Sequence, residues 1–345
     1  MQDIIYVNNV KKHFQEVKAV DDISFHVEEG ETFGFLGVNG AGKSTTIHML
    51  CTLSAATAGD ISVCGYHAGR DDEKIRRHIG VVWQNNCLDD ILSVKENLSM
   101  RGALYGIHGS RLKNRLREIT KKLQLEEFYG VQYAKLSGGQ KRRCEIAAAL
   151  INTPKVLFLD EPTTGLDPAA RKLVWEIMED LQKEEGTTIF LTTHYMEEAA
   201  CAKHIAIIDG GKIKEYGTPF GLKDKYAKDK LHLIPKGESR DIVLQALMSV
   251  SNHVHTQEMA RQTTENNEKA LGILEGNTIT IENDRIIYAV ENSLEALEIL
   301  PLLKEHLIGF EMIQGTMDDV FLQVTGKELL VCAAPSPQAE RKAGH

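Results

Sequence analysis

The chain has 345 residues, 42% hydrophobic and 26% charged, enough for one large α/β domain and a smaller one. With 40 Lys and Arg against 49 Asp and Glu the formal charge is −9, which argues against a nucleic-acid-binding protein. No apolar run approaches the ~18–20 residues of a membrane-crossing helix, and MQDIIYVNNVKKHF lacks the basic start and long apolar stretch of a signal peptide, so a cytoplasmic location is expected.

In chain order, Ile4–Val7, Val20–Val27 and Thr32–Leu36 read as strands, the last running into a Gly-rich loop and then a helix from Lys43. Asp89 to Gln132 reads as mainly helical, with apolar residues at three- to four-residue spacing in ILSVKENLSMRGALYGI and RLKNRLREITKKLQL. VLFLD (156–160) and TIFLTTH (188–194) are continuous apolar strands around a helix at about Arg171–Glu184, the signature of a buried parallel sheet. IAIIDGGKIKEY (205–216) is a hairpin signal.

The charged run LKDKYAKDK (222–230) reads as a linker. After it come a strand (Leu231–Ile234), a helix (Arg240–Val250), a polar loop (Ser251–Lys269), a strand (Arg285–Val290), a helix (Ser293–His306) and a strand (Gly309–Gln314), a pattern that suits a small α+β domain. Val156–Leu159 and Ile286–Val290 both read as buried strands. The tail from Ala333 has too little apolar material to fold. Lys141-Arg142-Arg143 reads as a solvated helix face. Cys51, Cys64, Cys87, Cys144, Cys201 and Cys332 are scattered without zinc spacing, so reduced and mostly buried thiols are expected, with neither disulfides nor a structural metal.

Three motifs carry chemistry. Gly37-Val38-Asn39-Gly40-Ala41-Gly42-Lys43-Ser44, followed by Thr45, fits G-x-x-x-x-G-K-[ST] between a strand and a helix. Its glycines let backbone N–H groups turn toward phosphate, Lys43 reaches the terminal phosphates, and Ser44 offers a hydroxyl to magnesium. VLFLDE (156–161) brings Asp160 to the C-terminal end of a buried strand, where doubly wound sheets bind ligands. Asp160 would hold magnesium and Glu161 would orient the attacking water. Leu136-Ser137-Gly138-Gly139-Gln140 opens a run of helix formers, a second phosphate-binding helix start with an added hydroxyl.

With LSGGQ complete, residues from about 4 to 220 resemble the nucleotide-binding subunit of an ABC transporter. The resemblance implies the P-loop NTPase cassette fold, with a mixed sheet core, a helical subdomain and an N-terminal antiparallel β part. It makes Gln84 the Q-loop glutamine, in contact with magnesium and the membrane partner. Asp167 falls in the D-loop of the subunit contact, and His194 is the H-loop histidine at the terminal phosphate. Phe14 stands where the family stacks an aromatic ring on adenine. Val38, where relatives usually have proline, and Trp83, before the glutamine, depart from the pattern without removing a phosphate-binding group.

NNCLDDILSVKENLSMRGALYGI, TTGLDP, THYMEEA and TMDDVFLQVTG (316–326) resemble the daunorubicin-resistance type of exporter ATPase, whose C-terminal extension is associated with dimer contact and permease assembly. The expected domains are a cassette at 1–222 with its helical subdomain at about 86–152, a linker at 223–230, a C-terminal accessory α+β domain at 231–326 and a disordered tail at 327–345. The resemblance implies ATP hydrolysis with Mg2+, head-to-tail pairing of two ATPase subunits (a homodimer, or a pair with a similar subunit), and a separate integral-membrane permease. The chain would then sit peripherally on the inner face of the cell membrane. An importer ATPase, and a soluble ABC ATPase acting on ribosomes or DNA, are the competing readings.

Overall fold

The computed structural model of the protein describes residues 3–258, 279–282, 284–290 and 293–326. These residues divide into two compact units, one of residues 3–219 with 324–326 and the other of the described residues within 220–323.

In the first unit a long hairpin, β1 (Asp3–Phe14) and β2 (Val17–Glu28), leads to β3 (Thr32–Leu36), α1 (Lys43–Leu50), β4 (Ala58–Val63) and β5 (Tyr66–His67). α2 (Asp72–His78) and β6 (Ile79–Val82) precede a helical stretch of α3 (Val94–Leu104), α4 (Gly109–Lys122) and α5 (Gly138–Leu150). β7 (Val156–Asp160), α6 (Pro168–Glu185), β8 (Thr188–Thr193), α7 (Met196–Ala199), β9 (His204–Asp209) and β10 (Lys212–Gly217) follow. The N-terminal sheet runs β2-β1-β4-β5, and the central one runs β10-β9-β3-β8-β7-β6. In the central sheet only the β9–β10 pair is antiparallel.

Two cores explain the continuous apolar strands. Val156, Phe158 and Phe190 face the core shared with the N-terminal sheet and α1, where Phe25, Phe33 and Phe35 cluster with them. Leu157, Leu159, Ile189 and Leu191 face the other core, with the helices. Strands apolar on both faces need helices or a second sheet on both sides, and that covering is what the runs encode.

The second unit begins in α8 (Pro219–Tyr226) and continues through β11 (Asp229–Pro235), α9 (Arg240–Glu258), β12 (Ile279–Glu282), β13 (Arg285–Val290), α10 (Glu295–Leu303), β14 (Leu307–Ile313) and α11 (Met317–Thr325). Its antiparallel sheet, β12-β13-β11-β14, is covered on one face by α9 and α10.

Several expectations change. The stretch 223–230 is the end of a helix and the start of a strand: Leu222 is buried, Lys225 is exposed, and Lys223, Lys228 and Lys230 are partly covered. α9 carries on through Glu258 where a loop was expected from Ser251, and β12 was unforeseen. Ile286, Tyr288 and Val290 are buried while alternate residues of β13 are not, so this strand has one covered face. Of the described cysteines, Cys51 and Cys144 are buried, Cys64 is intermediate, and Cys87 and Cys201 are exposed, so burial is not the rule. The expected loop residues from 259, Cys332 and the tail lie outside the described residues.

Candidate nucleotide site

β3, β7 and β8 end side by side, and the loops that leave them carry the predicted site. The β3–α1 loop turns on Gly42 at φ 110°, and a side chain at Gly37 would put Cβ 2.4 Å from the Ile208 carbonyl oxygen, so both positions require glycine. Ala41 N–H donates to the Val38 carbonyl at 3.1 Å and closes the turn. Asn39, Gly40, Gly42 and Thr45 line a cleft of about 390 Å³, together with Lys43, Ser44, Gln84 and Glu161.

Lys43 is only 5% exposed. Its Nζ donates to the carbonyls of Gly37 (2.7 Å) and Val38 (3.2 Å) and lies 3.5 Å from Glu161 Oε1. Burial pulls the Lys43 ammonium below its ordinary pKa, against the opposing pull of Glu161. Asp160, at the tip of β7, accepts hydrogen bonds on Oδ1 from Thr192 Oγ1 (2.6 Å) and Ser44 Oγ (3.4 Å).

Glu161 is the convergence point. Its backbone is left-handed, at φ 47°, a conformation that costs a non-glycine residue about 1–3 kcal/mol. Its N–H is held by both the carbonyl (3.2 Å) and the hydroxyl (3.1 Å) of Thr192. Oε2 accepts from Gln84 Nε2 at 3.0 Å and Thr164 Oγ1 at 3.2 Å. His194 Nδ1 stands 3.3 Å from Oε1, within ion-pair range but without an aligned hydrogen bond. Contact with His194, then the charge of Lys43, holds the Glu161 carboxyl below its usual range although burial pushes the other way.

The remaining predicted residues lie elsewhere. Ser137, Gly138, Gly139 and Gln140 start α5 with a capping box, in which Gln140 N–H donates to Ser137 Oγ (3.3 Å) and Ser137 N–H to Gln140 Oε1 (2.9 Å). Asp167 caps α6 by accepting from Ala170 N–H at 2.9 Å. None of these five lines the cleft. Phe14, half exposed beneath the Lys12 ammonium, pairs across the hairpin with Val17; Val17 lines the cleft and Phe14 does not.

Four buried groups escaped the sequence reading. Thr192 ties Asp160 to Glu161, as above. Glu198 accepts from the hydroxyls of Thr163 and Thr193, and burial raises its pKa. Glu145 accepts from Cys87 N–H (2.8 Å), Leu88 N–H (3.1 Å) and Tyr133 Oη (2.8 Å). Arg142, expected on a solvated face, is 5% exposed and donates to backbone carbonyls around β7. Its neighbour Arg143 is likewise tied down, to the carbonyls of Leu123 and Gln124. Next to Gln84 a groove of about 470 Å³ is lined by Leu53, Trp83, Cys87, Arg101, Tyr105 and Glu145.

Residues 20–164 match the family model described as ABC transporter. The chain is 44% identical over 220 residues to the Nod factor export ATP-binding protein I of Paraburkholderia xenovorans, spanning 63% of this chain and 72% of that one. It is 35% identical over 327 residues to the daunorubicin/doxorubicin resistance ATP-binding protein of Streptomyces peucetius, with 93% and 92% of the two chains covered. Among solved structures it resembles a dimeric ATP-binding cassette in a post-hydrolysis state bound to ADP and Pi, at TM-score 0.57 and 27% identity, covering 62% of this chain and 98% of that one.

Proposed function

This chain belongs to the ABC transporter family as an ATP-binding, ATP-hydrolysing subunit, and from that footing we propose that it powers an exporter whose membrane-spanning part is a separate permease. Its near-full-length likeness to a drug-resistance subunit supports the exporter reading. The observation that carries the hydrolytic reading is the meeting of Lys43, Gln84 and His194 on the one carboxylate of Glu161, beside a cleft of about 390 Å³ lined by the Gly-rich loop.

ATP would enter with its phosphates against the N–H groups of residues 37–45 and the Lys43 ammonium. The exposed Phe14 ring at the hairpin is assigned to adenine. Ser44, Gln84 and Asp160 offer hydroxyl, amide and carboxylate oxygens, a donor set that suits magnesium, and Ser44 and Asp160 already touch. Bound there, the ion supplies charge neutralisation at the phosphates. Glu161 orients a water whose oxygen bonds the terminal phosphorus as the bond to ADP breaks, and His194 contacts the departing phosphate. Ser137–Gln140 and Asp167 complete the cleft of a second copy, which their position outside their own cleft supports. Closure and reopening of that head-to-tail dimer would move a permease seated in the groove beside Gln84.

Residues 1–222 act as the cassette, with its helical part at about 86–152, and 231–326 as an accessory domain for assembly. The chain works from the cytoplasmic face; among the described residues no helix is long and apolar enough to cross a membrane. The test is co-purification of the tagged chain from detergent-solubilised membranes of its host, with and without ATP. A multi-span permease in near-stoichiometric amount is expected. Recovery of only ribosomal or DNA-bound proteins would overturn the transporter reading.

A further inference from the structure

Arg142 sits on α5, one turn after the Ser137–Gln140 start, and among the described residues its guanidinium bonds backbone carbonyls and no carboxylate. Nη1 donates to Trp83 O at 2.5 Å, and Nε to Pro162 O at 2.5 Å. Nη2 donates to Asp160 O and Glu161 O, each at 3.1 Å. Three separate segments therefore meet on one planar fork: α5, the residue before Gln84, and the whole turn from Asp160 to Pro162. Only arginine has five donors fixed in such a fork, and the shorter-reaching point charge of lysine cannot serve all four oxygens.

The tie matters because of what it holds. Glu161 is in the left-handed region, and a strained residue persists only where its surroundings over-determine it. Thr192 fixes its N–H side and Arg142 fixes its carbonyl side. With the carbonyl side released, the turn is free to relax toward ordinary φ, and the carboxylate leaves Lys43 and His194. The same guanidinium holds Trp83, which lines the groove, so a displacement of that groove reaches Glu161 through a single side chain.

We infer that Arg142 is a positioning residue for hydrolysis, locking the Glu161 turn to α5 and to the Gln84 segment. This rests on the ATPase reading above and adds that Glu161's placement depends on a group that never touches nucleotide. The experiment uses the full chain with Arg142→Gln and Arg142→Lys, in a Trp175→Phe background that leaves Trp83 as the fluorophore. Four readouts are taken: turnover with Mg-ATP, ADP affinity by calorimetry, the thermal midpoint of unfolding, and the change in Trp83 emission when ADP binds.

Arg142→Gln is expected to bind ADP within about twofold of the parent, to lose turnover by about tenfold or more at unchanged KM, and to lose the Trp83 response. Arg142→Lys, keeping the charge and some donors, should recover part of both signals. Parallel loss of ADP affinity and thermal stability would reduce Arg142 to a packing element and overturn the proposal, as would unchanged turnover or an intact Trp83 response. A parent chain that binds ADP but never turns over would instead sink the ATPase reading, while the Trp83 comparison would still decide the role of Arg142.

Discussion

Replacing Tyr133 by Phe removes one hydroxyl from a sealed site and nothing else. Tyr133 is fully buried, its Oη donates to Glu145 Oε1 at 2.8 Å, and Lys141 Nζ stacks 5.1 Å from its ring centroid, a contact phenylalanine retains. Burial, with the Glu145 charge, pushes the phenol far above its ordinary pKa, so it is a neutral donor at all working pH. A hydrogen bond to a charged acceptor contributes about 1.5–3 kcal/mol net. The same carboxylate oxygen also takes the N–H groups of Cys87 and Leu88, and an oxygen with three donors loses least by surrendering one. The expected cost is therefore at the lower end, about 1.5 kcal/mol, or roughly 3–6 °C in Tm for a unit of this size. Urea unfolding followed by tryptophan emission reads it cleanly, because both tryptophans, Trp83 and Trp175, belong to the first unit. The midpoint should fall with m unchanged. Glu145→Gln in the same background should be non-additive with Tyr133→Phe by about 1 kcal/mol. A Tyr133→Phe cost below about 0.5 kcal/mol, or strict additivity of the pair, would refute the assignment of Glu145 as the shared acceptor.

Glu161→Gln should cut turnover by on the order of 10²–10⁴ while ATP still binds; more than a tenth of parental turnover would remove Glu161 from the water-positioning role. Glu198→Gln carries a pH signature. Because burial raises the folded-state pKa of Glu198, its ionisation weakens the fold as pH rises through and above the usual carboxylate range. The variant should therefore gain Tm over the parent at pH 8 and lose that advantage on acidification, and a pH-independent difference would contradict the burial argument. At Gly139 an added Cβ would lie 2.7 Å from Ala170 Cβ, so Gly139→Ala should cost about 1–3 kcal/mol in urea unfolding. The companion Ala170→Gly should restore it; failure to do so would place the strain elsewhere.

The elements that were legible in advance are those whose environment is written into adjacent residues. β3 and α1 were readable because a strand, a Gly-rich turn and a helix follow one another, and β7 and β8 because strands covered on both faces are apolar throughout. The charged stretch after Leu222 misled because lysine stems on a short helix look like a solvated loop when the single buried Leu is overlooked. Arg142 misled for a different reason. In a run of Lys-Arg-Arg no local pattern marks which cation is buried, since its partners lie at Trp83 and around residues 160–162. Glu145, Thr192 and Glu198 share that property: each is satisfied by groups distant along the chain or on another element. Gln84 and His194 entered the site only through the family resemblance, because a lone His after an apolar strand carries no chemical signal of its own, and their meeting on Glu161 is visible only in the folded chain.

The position of β3 sets an order of events during synthesis. It lies between β8 and β9, and Gly30 just before it donates to Thr188, 158 residues further on. The hairpin of β1 and β2 can form as soon as it leaves the ribosome, whereas β3 must wait unpaired until both neighbours have been made. At roughly 5–20 residues per second that wait lasts on the order of ten seconds or more. Meanwhile Phe33, Phe35 and Leu36 stand without their cover, exposed to wrong partners. The Gly-rich loop that β3 launches, proposed above to hold phosphate, therefore gains both flanking strands only when nearly the whole first unit has emerged.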